Sequence, residues 1–202
     1  MNWIHYNLLM PKIIENLETR ILQTAEELYR SYGFENVSIH QLAVRLNIAD
    51  GTIYNYFPTK EAIFTRILSE SWLKTKEALK QIAISRDSGK SIDHTMIQRV
   101  YYDTQQRQEV QSAALTSDWR VKTFRDALGS SNKGSPVSVM GFLFSLSLNI
   151  PEDQIDPRDG VGFLYLLRGC LANFPDENDQ NLIYLYDAFA GMKQRYMRKK
   201  QN

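Results

Sequence analysis

Between Ser38 and Lys60 the chain gathers hydroxyls on Ser38, Thr52, Tyr54 and Tyr56, a carboxamide on Asn55, an imidazole on His40 and an ammonium on Lys60. Hydroxyl and ammonium groups donate hydrogen bonds to phosphate oxygens, and a carboxamide offers the paired donor and acceptor that match an adenine edge. Other chemistries find less support. No nucleophile-base pair is recognisable, and His5, His40 and His94 stand far apart without a carboxylate or cysteine at metal-ligand spacing. The run Asp176-Glu177-Asn178-Asp179 lacks the glycine and terminal glutamate of a calcium loop. Gly160-Val161-Gly162 follows no strand, so it is no dinucleotide fingerprint. No metal and no cofactor are expected.

The groups between Ser38 and Lys60 need elements to hold them. Ser38 precedes Ile39, Leu42, Ala43 and Leu46 at helical spacing and can cap that helix. Ala49-Asp50-Gly51 interrupts the pattern, Asp50 is placed to cap a third short helix running to Phe57, and Pro58 ends it. Upstream, Ile14, Leu17, Ile21, Ala25, Leu28 and Tyr32 predict a first helix stopped by Gly33. Downstream, Thr59 caps a long fourth helix, with Ile63, Phe64, Ile67, Leu68, Trp72, Leu79, Ile82 and Ala83 inward, to about Ser85. Two short helices joined by a tight turn, the second showing small polar and aromatic side chains, fit the major groove of B-DNA.

The run from Val37 to Glu61, with its core Gly51-Thr52-Ile53-Tyr54-Asn55-Tyr56-Phe57 followed by Lys60-Glu61, resembles the DNA-binding signature of the TetR family of repressors. The preceding Tyr32-Gly33-Phe34 matches as well, and the resemblance covers roughly residues 12–70. It implies that Thr52, Tyr56 and Lys60 hold phosphates while Gly51, Tyr54 and Asn55 face the groove. Gly51 would let the backbone approach closely. Ser38 would bond a phosphate besides capping its helix, and His40 would reach a neighbouring base or phosphate. Asp50 departs from the neutral polar residue common in the family, and its charge opposes DNA even while it favours a helix start.

Charge gives no help at the level of the whole chain: 24 Lys and Arg face 23 Asp and Glu, a formal net charge of +1. Residues 12–62 carry five bases against seven acids. The acids Glu15, Glu18, Glu26 and Glu27 must therefore sit on the far side of the first helix, with the bases toward DNA. With 202 residues and 43% hydrophobic content the chain can bury a real core. The single Cys170 cannot form an internal disulfide, the N-terminal stretch does not resemble a secretory signal, and no segment reaches the ~20 apolar residues of a membrane span. A cytoplasmic location is the simplest expectation. Met10-Pro11-Lys12 reads as a plausible start, which would make residues 1–9 an extra arm.

The expected fold is all-α, with a helix-turn-helix DNA-binding domain over residues 10–60 and a helical effector-binding and dimerisation domain over 61–202. Loops are predicted at 85–91, 129–136 and 149–157. The aromatic residues Trp72, Tyr101, Tyr102, Trp119, Phe124, Phe142 and Phe163 either line an effector pocket or fill a core. The final segments, 159–173 and 179–198, form a helical hairpin. Leu164, Leu167 and Leu171 on the first, and Leu182, Leu185, Phe189, Met192 and Tyr196 on the second, share apolar faces assigned to a homodimer contact. The bases Lys193, Arg195, Arg198, Lys199 and Lys200 suit a solvated helix C-terminus. The partners implied are operator DNA, a second copy and a small-molecule effector that relieves repression; the rival reading is a helical enzyme or ligand-binding protein without DNA function.

Overall fold

The computed structural model describes residues 16–85, 91–112 and 134–199, and within them every regular element is helical. In chain order these are α1 (Leu17–Tyr32), α2 (Ile39–Leu46), α3 (Asp50–Tyr54), α4 (Lys60–Ser85), α5 (Ile92–Ser112), α6 (Pro136–Leu148), α7 (Pro157–Asn173) and α8 (Asn178–Lys199). A single 3-10 turn, Glu152–Gln154, lies in the expected third loop. Among the described residues no helix is long and apolar enough to cross a membrane.

Local chemistry sets the ends. Gly33 adopts φ 80°, a left-handed conformation that only glycine takes without strain, and its N–H closes α1 on the Tyr29 carbonyl. The Ser38 hydroxyl accepts from the Gln41 N–H at 3.1 Å while the Gln41 side chain accepts from the Ser38 N–H at 2.7 Å, a complete capping box. Thr59 caps α4 by accepting from the Ala62 N–H at 3.1 Å. The inner face of α1 differs from the sequence expectation: Tyr29 is fully buried and Tyr32 is 64% exposed. The buried ridge therefore runs Leu17, Ile21, Ala25, Tyr29 at steps of four, with Leu22 beside it.

Two apolar clusters divide the described chain. The first joins α1, α2, α3 and the start of α4 around Tyr29, Phe34 and Phe64, whose rings lie 5.1–6.0 Å apart. The second joins the rest of α4 to α5, α6, α7 and α8 around Phe144, Phe163 and Phe189. Ile63, Phe64 and Ile67 belong to the first cluster, and Trp72 and Leu79 to the second. The boundary expected at residue 60 thus falls inside α4, a continuous helix ~39 Å long that both units share.

Helices α6 and α7 cross closely because Gly160 has no side chain. A Cβ there would lie 3.1 Å from the Val137 carbonyl oxygen and 3.2 Å from the Gly141 nitrogen. Both are backbone atoms and cannot rotate aside. Gly160→Val is expected to lower stability by about 1–3 kcal/mol in urea denaturation, through overpacking at this crossing; an unchanged midpoint would contradict the close approach.

Candidate nucleic-acid interface

The helix α3 has five residues, far below the ~12–15 that hold an isolated helix together in water. It persists because Ile53 and Phe57 are buried in the first cluster, 0% and 6% exposed. Burying two such side chains supplies roughly 3–6 kcal/mol, ample for one turn. The turn before it is equally determined: Asn47 takes the left-handed conformation at φ 56°, and its N–H and that of Ile48 both return to the end of α2. After α3, the Tyr56 and Phe57 N–H groups each close on the Ile53 carbonyl at 2.9 Å.

With Ile53 pointing in, its neighbours must point out. Gly51, Tyr54, Asn55 and Tyr56 are exposed and Thr52 is half-buried. A Cβ at Gly51 would meet nothing within 4 Å, so that position offers open space to an incoming surface. Ser38 and His40 at the start of α2 are exposed as well. The structure therefore brings seven of the eight sequence-predicted residues to the outer face of α2 and α3. Lys60 differs: its ammonium donates to the Phe34 carbonyl at 2.8 Å and sits 4.2 Å from the Phe34 ring centroid. It fastens α4 to the loop after α1, and two of its three donors remain for another acceptor.

Asp50 is not the cap of α3. Ala49 occupies the cap position and makes no side-chain bond, while Asp50 is the first helical residue. Its carboxylate receives the His40 Nδ1–H at 3.1 and 3.2 Å, bridging the first turns of α2 and α3. This contact is a feature that sequence reasoning missed, because the two residues lie ten apart and were assigned opposite effects on DNA. An imidazole on its carboxylate offsets part of the charge that Asp50 brings to the face. Of the acids expected on the far side of α1, Glu26 pairs with Arg30 at 2.8 Å and Glu18 with Arg66 at 3.5 Å, and Glu15 lies outside the described residues.

Residues 21–67 match the family signature described as "Bacterial regulatory proteins, tetR family". The likeness to the tetR family thus covers the N-terminal domain, about a quarter of the chain. A relative in Bacillus subtilis (strain 168), the uncharacterized HTH-type transcriptional regulator YuxN, is 32% identical over 71 residues, 35% of this chain and 24% of that protein. The match thus spans about a quarter of that regulator's length. Beyond the first domain the likeness is one of fold. A chain described under "Molecular basis for control of antibiotic production by a bacterial hormones" aligns with TM-score 0.57 and 16% identity, over 87% of this chain and 96% of that one. A putative transcriptional regulator from Pseudomonas aeruginosa PAO1 aligns with TM-score 0.56 and 12% identity, over 97% and 98%. A TetR/AcrR family regulator from Thermobifida fusca YX-ER1 gives 0.54 and 17%, over 86% and 96%.

The structure places the C-terminal residues differently from the sequence assignment. Leu164, Leu167, Leu171, Leu182, Leu185 and Phe189 are 0–5% exposed within a single protomer, so they pack its own core and cannot meet a second copy. Met192 and Tyr196 are half-buried against the same core, and the Tyr196 hydroxyl donates to Asp159 at 2.6 Å. Of the aromatic set, Tyr101 and Phe163 are fully buried, and the Tyr101 hydroxyl donates to Asn178 at 2.8 Å. Trp72 is capped by the Arg107 guanidinium and Phe142 by the Lys76 ammonium. Tyr102 is exposed, and Trp119 and Phe124 lie outside the described residues. In the basic tail, Lys193 pairs with Asp93 and Arg195 with Asp159, so two of its bases serve the fold.

Proposed function

We propose that the chain is a DNA-binding transcriptional regulator that reads an operator through α2 and α3, acts as a repressor and is released by a small-molecule effector. The observation that carries this reading is the outward face of α3 and the turn that ends it, where Thr52 and Tyr54 project from a helix pinned from behind by Ile53 and Asn55 and Tyr56 from the turn. Its chemistry divides as DNA requires: hydroxyls and the free donors of Lys60 for phosphates, Asn55 for a base edge, Tyr54 for a thymine methyl. An effector belongs to the C-terminal unit on the same reading. A cleft of about 670 Å³ between the end of α4, the start of α5 and the end of α6, lined by Ile92, Ser145, Leu146, Asn149, Ile150 and Pro151, supports a small ligand with both polar and apolar groups there.

One recognition helix covers only a few base pairs, and paired half-sites lie ~34–36 Å apart, so two copies are needed. The surface that supports a dimer is the outer side of the α7–α8 hairpin, opposite the leucines assigned from sequence. Tyr165, Phe174, Ile183 and Tyr184 are 52–61% exposed there, beside a shallow cleft lined by Gly162, Leu166 and Gly169. Apolar exposure of this extent, with small residues that allow helices to approach, fits a four-helix contact with a symmetry mate.

Duplexes selected from a random library by the purified chain test the DNA assignment. Asn55→Ala and Tyr56→Ala are each expected to weaken binding to the selected duplex on the order of tenfold or more; affinity equal to that of the parent protein would refute the interface. The dimer surface has its own test. A Cβ at Gly169 meets nothing within 4 Å, so Gly169→Gln leaves the protomer intact. Sedimentation equilibrium is expected to give twice 23.4 kDa for the parent chain and a shift toward 23.4 kDa for the variant; a variant that stays fully dimeric would move the contact elsewhere.

A further inference from the structure

Where α1 of the first unit meets α4 and α5, a cleft of about 150 Å³ opens between the two cores. Among the described residues its charged lining is Arg30, Lys74, Arg99 and Arg107 against Glu26 and Asp103, an excess of two positive charges in a small concave space. Three of the bases have acid partners: Arg30 donates to Glu26 at 2.8 Å, Arg99 to Asp103 at 2.9 Å, and Arg107 pairs more loosely with the same Asp103 at 4.0 Å. Lys74 stands exposed on the rim.

Arg107 is the unusual member. Its side chain is 7% exposed, with the guanidinium 3.9 Å from the Trp72 ring centroid. Nε donates to the Ser71 hydroxyl at 2.7 Å, and Nη2 donates to the Ser71 carbonyl at 2.8 Å and to the Thr75 hydroxyl. The nearest carboxylate, Asp103, is 4.0 Å from Nη2 and already accepts from Thr75 at 2.6 Å and from Arg99. Nη1 is buried and, among the described residues, has no hydrogen-bond partner. A buried donor left unmade costs about 1–3 kcal/mol, and more on a charged group. Burial pulls the Arg107 guanidinium down to about 10, so it stays cationic at neutral pH. A desolvated cation that shares one carboxylate with Arg99, behind a cleft of net positive charge, is under-compensated, and an anion in the cleft would offset it.

We propose that this cleft is a binding site for a small phosphate oxyanion, free or as the phosphate of a small metabolite, held by Arg30, Lys74 and Arg99 over the buried Arg107 guanidinium. It is separate from the α2–α3 face and from the cleft proposed for the effector. Arg30 stands on α1 and Arg107 on α5, so an anion between them adds a charge-assisted link across the two cores. On the DNA-binding reading that link is a second input to the position of the recognition helix; the binding itself does not depend on that reading.

Thermal unfolding of the full chain tests the site without DNA. Inorganic phosphate at a hundredfold excess over its Kd is expected to raise Tm by roughly 5–10 °C above chloride at matched ionic strength. Arg107→Met should abolish the shift, and the rim variants Arg30→Gln and Lys74→Gln should each weaken phosphate binding on the order of tenfold. Glycerol 3-phosphate distinguishes the sources: tighter binding than inorganic phosphate assigns a metabolite, weaker binding assigns the free ion. No shift beyond chloride, or a shift that survives in both rim variants, would overturn the proposal, and the rim variants decide it should Arg107→Met fail to fold.

Discussion

The outward face of α3 depends on one packing contact, the insertion of Ile53 and Phe57 into the cluster built on Tyr29, Phe34 and Phe64. A helix of five residues has no cooperativity of its own, and its direction is set by what it leans on. Here the support is stiff on three sides. The Ser38–Gln41 capping box fixes the start of α2, Asn47 fixes the turn, and Lys60 ties the start of α4 to the Phe34 carbonyl. The polar face of α3 follows from geometry: once Ile53 points inward, Thr52, Tyr54, Asn55 and Tyr56 have nowhere to go but out.

The same logic of a shared support explains how the two halves of the chain are joined. Helix α4 gives its first turns to one core and its later turns to the other, so no flexible linker separates them. A displacement of α4 driven from the second core must move α3, because Ile63, Phe64 and Ile67 are the floor on which Ile53 and Phe57 rest. That is a mechanical route from the second core to the α2–α3 face, made of packed side chains with few alternatives. The polar cluster around Arg107 lies at the same junction, where Ser71 and Thr75 of α4 receive its donors.

The N-terminal domain was legible in the sequence because its signals are local. Ser38, Gly33, Thr59 and Pro58 punctuate helices through their own backbone chemistry, and the run from Gly51 to Phe57 leaves little freedom. What eluded sequence reasoning depends on which neighbour a face meets. Tyr29 and Tyr32 both lie near one helical stripe, and only packing against Phe34 and Phe64 decides that Tyr29 is inside. The leucines of α7 and α8 announce an apolar face but not its partner; they face α5 and α6 of their own chain, leaving the tyrosines outward. The His40–Asp50 contact and the stranded Nη1 of Arg107 are tertiary facts with no periodic signature.

Amide chemical shifts of the full chain, recorded with and without a duplex it has selected, probe the central claim most directly. The account predicts that the changes concentrate at residues 38–40 and 49–60 while the buried ring cluster behind them keeps its contacts. Changes confined to the basic end of α8, with α3 unmoved, would contradict it.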